Sequence, residues 1–532
     1  MKKFFTTILA ILLTINAFAL DVWNGTAESW TNGSGTEEDP YLIETAENLA
    51  YLAEKVNEGF QAQGMEVFKY TYFLMTDDLD LNNINWTPIG NVNYVNSTIE
   101  GYYFAGVFDG WYHNIDHLRI QTEESLTGLF AGLGGDGMVK HLSVTNGSIT
   151  SSGFGAAGIV GAIAGDAVVY QCSFSGNISI SNSDTFCGAG GIVCAAAQNS
   201  VILECSFSGN ATAINSGGLM AAGGTGGIVG IAMDNVVISS CYNTGHLTGT
   251  ALMFGVAAGI VGATLQENNV SIENCYNTGT LTAKTKGGIF GMVSPINPTK
   301  EAISLNVTNC FYLNTCGGTT NYGTSKTASE MQTEQFKNQL NLNSHIFVMD
   351  NGTNNGYPIL ALTGFVVFDA TDVGEHSAKL SANIHQGNEI FSRVYFAYGK
   401  DDETDLQEVE VASDGYVEAI LENLDDDTNY QFYLYLEYED GSFITSDTPR
   451  WFTTEFDGIN EVNNNSTVSI HPNPTSDFVF IENIEPQYII IYSLDGKMIK
   501  TVENNNVVDI RDLNKGIYLI NIDGATQRIV IN

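Results

Sequence analysis

Apolar positions in the middle of the chain come in short β-branched bursts that return at a nearly fixed interval. Cys172, Cys205, Cys241, Cys275 and Cys310 are separated by 33, 36, 34 and 35 residues. Three residues before each stands Val169, Ile202, Ile238, Ile272 or Val307, and four residues after each comes Gly176, Gly209, Gly245, Gly279 or Asn314. Upstream lies a second block: Gly158-Ile159-Val160-Gly161, Gly191-Ile192-Val193-Cys194, Gly227-Ile228-Val229-Gly230, Gly259-Ile260-Val261-Gly262 and Gly288-Ile289-Phe290-Gly291. Degenerate copies stand at Gly106-Val107-Phe108 and Gly128-Leu129-Phe130. Segments this short and glycine-rich make strands rather than helices. One repeat cannot cover its own apolar face, whereas stacked copies share a core. The prediction is a β-solenoid with one repeat per coil and strands pairing in parallel about 4.8 Å apart. The column Asp166, Asn199, Asn235 and Asn269 then lies in register, placed to hydrogen-bond up the stack and to support its own turns.

Elsewhere the period changes. Leu49, Leu52, Ala53 and Val56 share one face of a short helix, with Thr45 at its N-cap position. Such a helix covers the end of a solenoid, where strand edges are otherwise unpaired. Phe432, Leu434 and Leu436 alternate with Tyr433, Tyr435 and Glu437, a period of two. In the last segment Ile517, Leu519 and Ile529 read as the apolar faces of strands. The predicted fold class is all-β: a parallel β-solenoid, right-handed and β-helix-like, followed by two small β-sandwich domains. The expected divisions are 1–19, a signal peptide; 20–105, an N-terminal capping region with a short helix; 106–363, the solenoid; 364–456 and 467–532, the sandwiches, joined by a linker at 457–466.

Charge narrows the partners. Sixty acidic residues against 20 basic ones give a net charge of −40, which repels phosphate backbones and anionic lipid and disfavours nucleic-acid and membrane-surface binding. Met1-Lys2-Lys3, the apolar run Phe4 to Ile15 and the small-residue site Ala17-Phe18-Ala19 have the form of a cleaved secretory signal. No later run approaches the roughly 20 apolar residues of a membrane helix, so no span is expected after its removal.

Three segments carry resemblances. The Gly-Gly-Ile-Val-Gly blocks followed by Cys-Tyr-Asn-Thr-Gly (Cys241 to Gly245, Cys275 to Gly279) resemble the GLUG repeat of bacterial surface proteins. The preface Pro40-Tyr41-Leu42-Ile43, Trp86-Thr87-Pro88-Ile89-Gly90 and the ending Asn355-Gly356-Tyr357-Pro358 fit the same family over about residues 34–362. Leu424 to Tyr430 and Arg450-Trp451-Phe452-Thr453-Thr454 resemble the fibronectin type III corner and last strand, which implies a tyrosine hydroxyl tied to the backbone, although Asp427 stands where that family carries proline. Pro472-Asn473-Pro474, Leu494-Asp495-Gly496-Lys497 and Gly516-Ile517-Tyr518 resemble the type IX secretion C-terminal sorting domain. That resemblance implies export through the type IX machinery and marks Pro472, Asn473, Pro474, Gly496, Gly516 and Tyr518 as sorting-signal positions.

Candidate chemistry is sparse. A cysteine recurring once per coil is a small buried hydrophobe in a column, and parallel neighbours offer poor bridging geometry. Cys316 falls in the phase of Leu281; Cys187 and Cys194 are the one pair placed to meet across a loop. His113 and His117 lie four apart beside Asp109 and Asp116, but the Asp109-Gly110 turn argues for structure rather than a metal. Between 140 and 320 the seven acids share no phase, and no arginine stands between Arg119 and Arg393, so neither a carboxylate pair nor a uronate clamp assembles. Residues 365–455 hold 21 acids and four bases, including Asp425, Asp426 and Asp427, where calcium is the alternative to a solvated turn. No other cofactor is expected. The expectation is a non-catalytic, adhesin-like protein delivered to the cell surface, binding an extracellular glycan or protein. An enzyme degrading polysaccharide or protein on a β-helix scaffold, or a passive surface-layer component, are the alternatives.

Overall fold

A computed structural model describes residues 22–95, 98–183, 186–217, 222–264, 269–293, 304–320, 322–342, 344–350, 352–400, 404–412, 415–446, 448–455, 468–493 and 497–532. The expected signal peptide at 1–19, the expected linker at 457–466 and Gly496 lie outside the described residues. The chain divides into two compact units, Met1–Phe365 with Ile384–Ile390, and Val366–Asn383 with Phe391–Asn532.

The first unit is a parallel β-solenoid of about seven turns. Val139, Val169, Ile202, Ile238 and Ile272 stack in register, and all are fully buried. Phe130, Val160, Val193, Val229, Val261 and Phe290 stack in a second sheet and meet the first column in one core. The stack begins at Tyr41–Ile43, ahead of the recognisable repeats: Tyr41 pairs with Phe73, and Phe73 with Phe108. These first coils fill the same volume with rings rather than aliphatic blocks, as the contacts Phe73–Phe104, Phe104–Phe130 and Phe108–Phe130 show. The helix Ala46–Asn57 packs its Leu49, Leu52, Ala53 and Val56 into that core, and its Thr45 cap accepts a hydrogen bond from Asn48 N at 3.2 Å.

The repeat's glycines have a steric cause. A Cβ on Gly191 would lie 2.0 Å from Gly227 O, one on Gly227 2.1 Å from Gly259 O, and one on Gly259 2.2 Å from Gly288 O. Coil follows coil too closely there for any side chain. Cys194 replaces the closing glycine of its block, and its Sγ occupies space left by Gly155, donating to Gly188 O at 3.4 Å. In Cys-Tyr-Asn-Thr-Gly the asparagine points inward and caps its own turn: Asn243 Oδ1 accepts from Gly245 N at 2.9 Å, Asn277 Oδ1 from Gly279 N at 3.0 Å. Asn243 also donates to Asn277 at 2.7 Å, so the buried amides are mutually satisfied. All eight cysteines are buried thiols rather than disulfides, Cys187 and Cys194 included.

In the second unit, Ser377–Asn383 pairs antiparallel with Tyr416–Glu422, and a separate sheet joins Arg393–Gly399, Asp405–Glu408, Asn429–Glu437, Phe443–Thr445 and Arg450–Thr453. The expected tyrosine corner is present: Tyr430 is buried and its hydroxyl accepts from Asp425 N at 2.9 Å. The terminal module packs a three-stranded against a four-stranded sheet around Val479, Ile481, Ile489, Ile491, Ile520 and Ile529. One correction concerns phase. Ile529 is buried as expected, but Ile520 and Ile522 face the core, while Ile517 is 43% exposed and Leu519 only partly buried. A one-residue slip exchanges the two faces of a strand.

Candidate functional site

A groove of about 570 Å³ runs along the solenoid axis. Val67, Phe104, Leu133, Ile163, Ala196 and Ala232 are in register on six successive coils, and the groove residues flank this column. Five steps of coil spacing make it about 24 Å long. Its floor is glycine and alanine; its walls carry Glu66, Tyr103, Gln198, Met233 and Asp234. The small floor is what seats the walls. A Cβ on Gly134 would lie 2.5 Å from the Tyr103 ring, and one on Gly135, at φ +62°, 2.4 Å from Glu66 Oε1. Lys69 Nζ holds Glu66 Oε2 at 2.9 Å. Burial, and then the neighbouring Glu66, push the Tyr103 hydroxyl up, so it stays a hydrogen-bond donor. Chemically the groove offers carboxylate and amide acceptors beside ring and thioether surface, over a length suited to an extended chain.

A second polar cluster sits at a corner of the coils. Tyr112, His141, Gln171, Glu204, Ser240, Asn274 and Asn309 occupy the same position on seven coils, with φ between 48° and 64°. This left-handed corner turns each side chain to one edge. Tyr112 donates to Gln171 Oε1 at 2.6 Å, and Gln171 Nε2 donates to Glu204 Oε2 at 2.7 Å. His141 Nδ1 lies 2.9 Å and Lys140 Nζ 3.1 Å from the Asp109 carboxylate. Burial raises the Glu204 carboxyl against the opposing bond from Gln171. His385, from the Ile384–Ile390 segment of the same unit, stacks on Tyr112; burial, then repulsion from His141 and His113, lower it to about 4. The cluster is packed and satisfied, and reads as a clamp.

His113 Nδ1 meets Asp78 Oδ1 at 3.1 Å, and His117 Nδ1 meets Asp80 Oδ1 at 3.0 Å, each tying one coil to the next. The Asn column forms two of its links, Asn199 to Asp166 at 3.2 Å and Asn269 to Asn235 at 3.0 Å. Asp425 is ion-paired with Lys400. Among the described residues no group of three or more His, Cys, Asp or Glu side chains could hold a metal ion. In the terminal module Asn473 is the joint: its Nδ2 donates to Arg528 O at 2.6 Å, and its Oδ1 accepts from Val530 N at 2.8 Å. Pro472 and Pro474 flank it, and Tyr518 donates to Asn514 O at 2.9 Å. Gly516 lies in extended backbone with nothing nearer to an added Cβ than the Tyr518 ring at 3.6 Å.

Sequence reasoning missed the groove and the corner cluster. Neither has a motif, since each takes one residue per coil of differing type. The usable clue for the corner was positional: the residue before each core cysteine.

Comparison with known proteins bears mainly on the C-terminus. Over 166 residues the chain is 31% identical to a Gly-rich membrane protein of Evansella cellulosilytica, an alignment covering 31% of this chain and 17% of that protein, so the chain spans under a fifth of that relative's length. The sensor domain of an anti-sigma factor from Pseudobacteroides cellulosolvens aligns at 13% identity over 18% of this chain and 95% of that one, with a TM-score of 0.15. A two-domain fibronectin type III segment of chicken tenascin aligns at 18% identity over 30% and 87%, with a TM-score of 0.17. Neither score supports an argument about architecture or function. No described helix is long and apolar enough to cross a membrane. Residues 469–532 match the secretion system C-terminal sorting domain, so the terminal module is a type IX sorting tail and the chain carries the address for export to the cell surface or beyond.

Proposed function

We propose that the exported protein is a non-catalytic, adhesin-like binding protein whose GLUG-type solenoid holds an extended glycan along its axial groove, with a fibronectin type III-like spacer between solenoid and tail. The observation that carries this reading is the groove itself: six coils long, with Tyr103 and Met233 offering apolar surface and Glu66, Gln198 and Asp234 offering acceptors. Apolar and acceptor groups in one groove suit the faces and hydroxyl edges of sugar rings. The net charge of −40 favours an uncharged chain over a polyuronate. Affinity electrophoresis of the full chain through a panel of soluble polysaccharides tests it. Retardation that weakens in Tyr103→Ala and Asp234→Ala, without release of new reducing ends, supports the reading. New reducing ends would make the protein a hydrolase, and equal retardation of both variants and wild type would remove the groove from the binding.

A further inference from the structure

The second unit carries an aromatic face that its fold does not consume. In the sheet built on Arg393–Gly399 and Asn429–Glu437, the residues Val394, Phe396, Tyr430, Phe432, Leu434 and Phe452 turn inward and are buried. The opposite face collects Tyr395, Tyr433, Tyr435, Phe443, Trp451 and Leu406. Cross-strand pairing fixes their places: Tyr395 opposite Tyr435, Ala397 between Leu406 and Tyr433, Gln431 opposite Trp451, and Glu437 opposite Phe443. Tyr395 and Tyr435 stack with centroids 5.2 Å apart and planes within 3°, and Phe443 leans on Tyr435 at 5.1 Å. Trp451, Phe443 and Leu406 are 55%, 54% and 55% exposed. Two open rings and an aliphatic chain, backed by the half-buried Tyr433 and Tyr435, on one sheet face are more than scattered surface apolarity.

We infer that this face is a second glycan-binding surface, taking an uncharged polysaccharide along the strands, separate in residues from the groove of the solenoid. The mixture on the face decides the occupant. Gln431, Thr445, Thr453 and Glu437 stand between the rings on the same side of the sheet, so apolar plates alternate with hydrogen-bonding groups, as the faces and edges of sugar rings do. A protein partner of comparable affinity calls for a contiguous desolvated centre instead. Charge selects further. Glu408 and Glu437 stand on the face and share one cation, Arg393, which lies over the Tyr395 ring at 5.0 Å, so the face keeps a net negative charge and a polyanionic glycan meets repulsion. From the Trp451–Gln431 row to the Phe443–Glu437 row is about 20 Å along the strand, room for several sugar rings.

Trp451 reports on the face, because the other four tryptophans, Trp23, Trp30, Trp86 and Trp111, all belong to the first unit. The full chain is run through native gels containing xyloglucan, galactomannan, hydroxyethyl cellulose or polygalacturonate, and tryptophan emission is followed in the same titrations. At least one uncharged polymer is expected to retard the protein and shift its emission. Trp451→Ala or Tyr435→Ala should weaken this by roughly five- to tenfold, the worth of one ring contact. Trp451→Phe should retain most of the retardation, and Tyr103→Ala, whatever it does to retardation through the groove, should leave the emission shift unchanged. Should Trp451→Ala fold poorly, Phe443→Ala and Leu406→Ala give the same readout. Retardation by none of the uncharged polymers, by polygalacturonate equally well, or undiminished in Trp451→Ala overturns the inference. Loss in Tyr103→Ala alone would leave the groove reading standing and this one refuted.

Discussion

The imidazole of His385 lies flat on the ring of Tyr112, with centroids 3.9 Å apart and planes within 6°. Tyr112 in turn stacks on His141 at 4.5 Å, so three rings from three separate stretches of chain form one pile at the left-handed corner of the coils. Burial and the two neighbouring imidazoles hold His385 at about 4, below its ordinary 6.5. A histidine whose folded pKa is depressed takes up its proton more readily when unfolded. The stability it supports is therefore present above about 6.5 and falls as the pH drops towards 4. Glu204, whose pKa is raised by burial, works in the opposite sense over the acid range, so the wild-type profile alone mixes the two. His385→Phe keeps the stack and removes one titration. Relative to that variant, the wild type should lose roughly 1–2 kcal/mol between pH 6.5 and 4, discounted for partial exposure, as read from paired melting curves of the first transition. A constant difference across that range would show that His385 does not titrate as stated.

The glycine column sets the coil spacing. Gly191→Ala and Gly227→Ala would each place a methyl group within 2.1 Å of a carbonyl oxygen on the next coil. Each should cost about 3 kcal/mol, because backbone rather than a flexible side chain must give way. An alanine at the exposed Gly352, where nothing lies within 4 Å, controls for composition, although its φ of +120° adds strain. A melting temperature unchanged in both column variants would mean that the coils are not stacked in this register.

Core thiols should be silent until the solenoid opens. Cys205, Cys241 and Cys275 are fully buried, and burial pushes their thiols well up, leaving almost no thiolate. Iodoacetamide should leave all eight cysteines unmodified in native buffer and alkylate all eight in denaturant without reductant. Fewer than eight adducts after unfolding would reveal a bridge, with Cys187 and Cys194 the first pair to inspect.

The tyrosine corner gives a local test of the second unit. Tyr430→Phe removes the acceptor of the Asp425 N–H without opening a cavity. The expected cost is about 1–3 kcal/mol, confined to the unfolding transition of the second unit. No measurable change would mean that the Asp425 N–H finds water as readily as the hydroxyl.

How much of this was legible follows from what repeats. Cys172 to Cys310 and the Gly-Ile-Val blocks revealed the solenoid because each coil imposes one steric demand at one position, and the same residue type answers it each time. The first coils escaped the pattern because Phe73, Phe104 and Phe108 fill the core by a different packing. The groove was invisible for the converse reason: Glu66, Tyr103, Gln198 and Asp234 come from separate coils and are joined only by the stack. The corner cluster was hidden too, since Tyr112, His141, Gln171 and Glu204 share a backbone conformation and no side-chain chemistry. In the tail the strand was legible but its phase was not. Ile517, Leu519, Ile520 and Ile522 are all apolar, and alternation cannot choose a face when both are greasy.

Export is expected to depend first on the terminal strands. Asn473 is hydrogen-bonded to Arg528 and Val530 of the last strand, and Gly516–Ile522 pairs with Ala525–Ile531 along its length. Deleting Lys515 to Asn532 removes both strands from the sorting module while leaving the solenoid intact. The measurement is surface protein, by protease shaving and mass spectrometry of intact cells that produce either the full chain or the truncated one. Peptides of the solenoid should be released from cells with the full chain, and should be found only in the periplasmic fraction of cells with the truncated one. Solenoid peptides shaved equally from both would contradict the account.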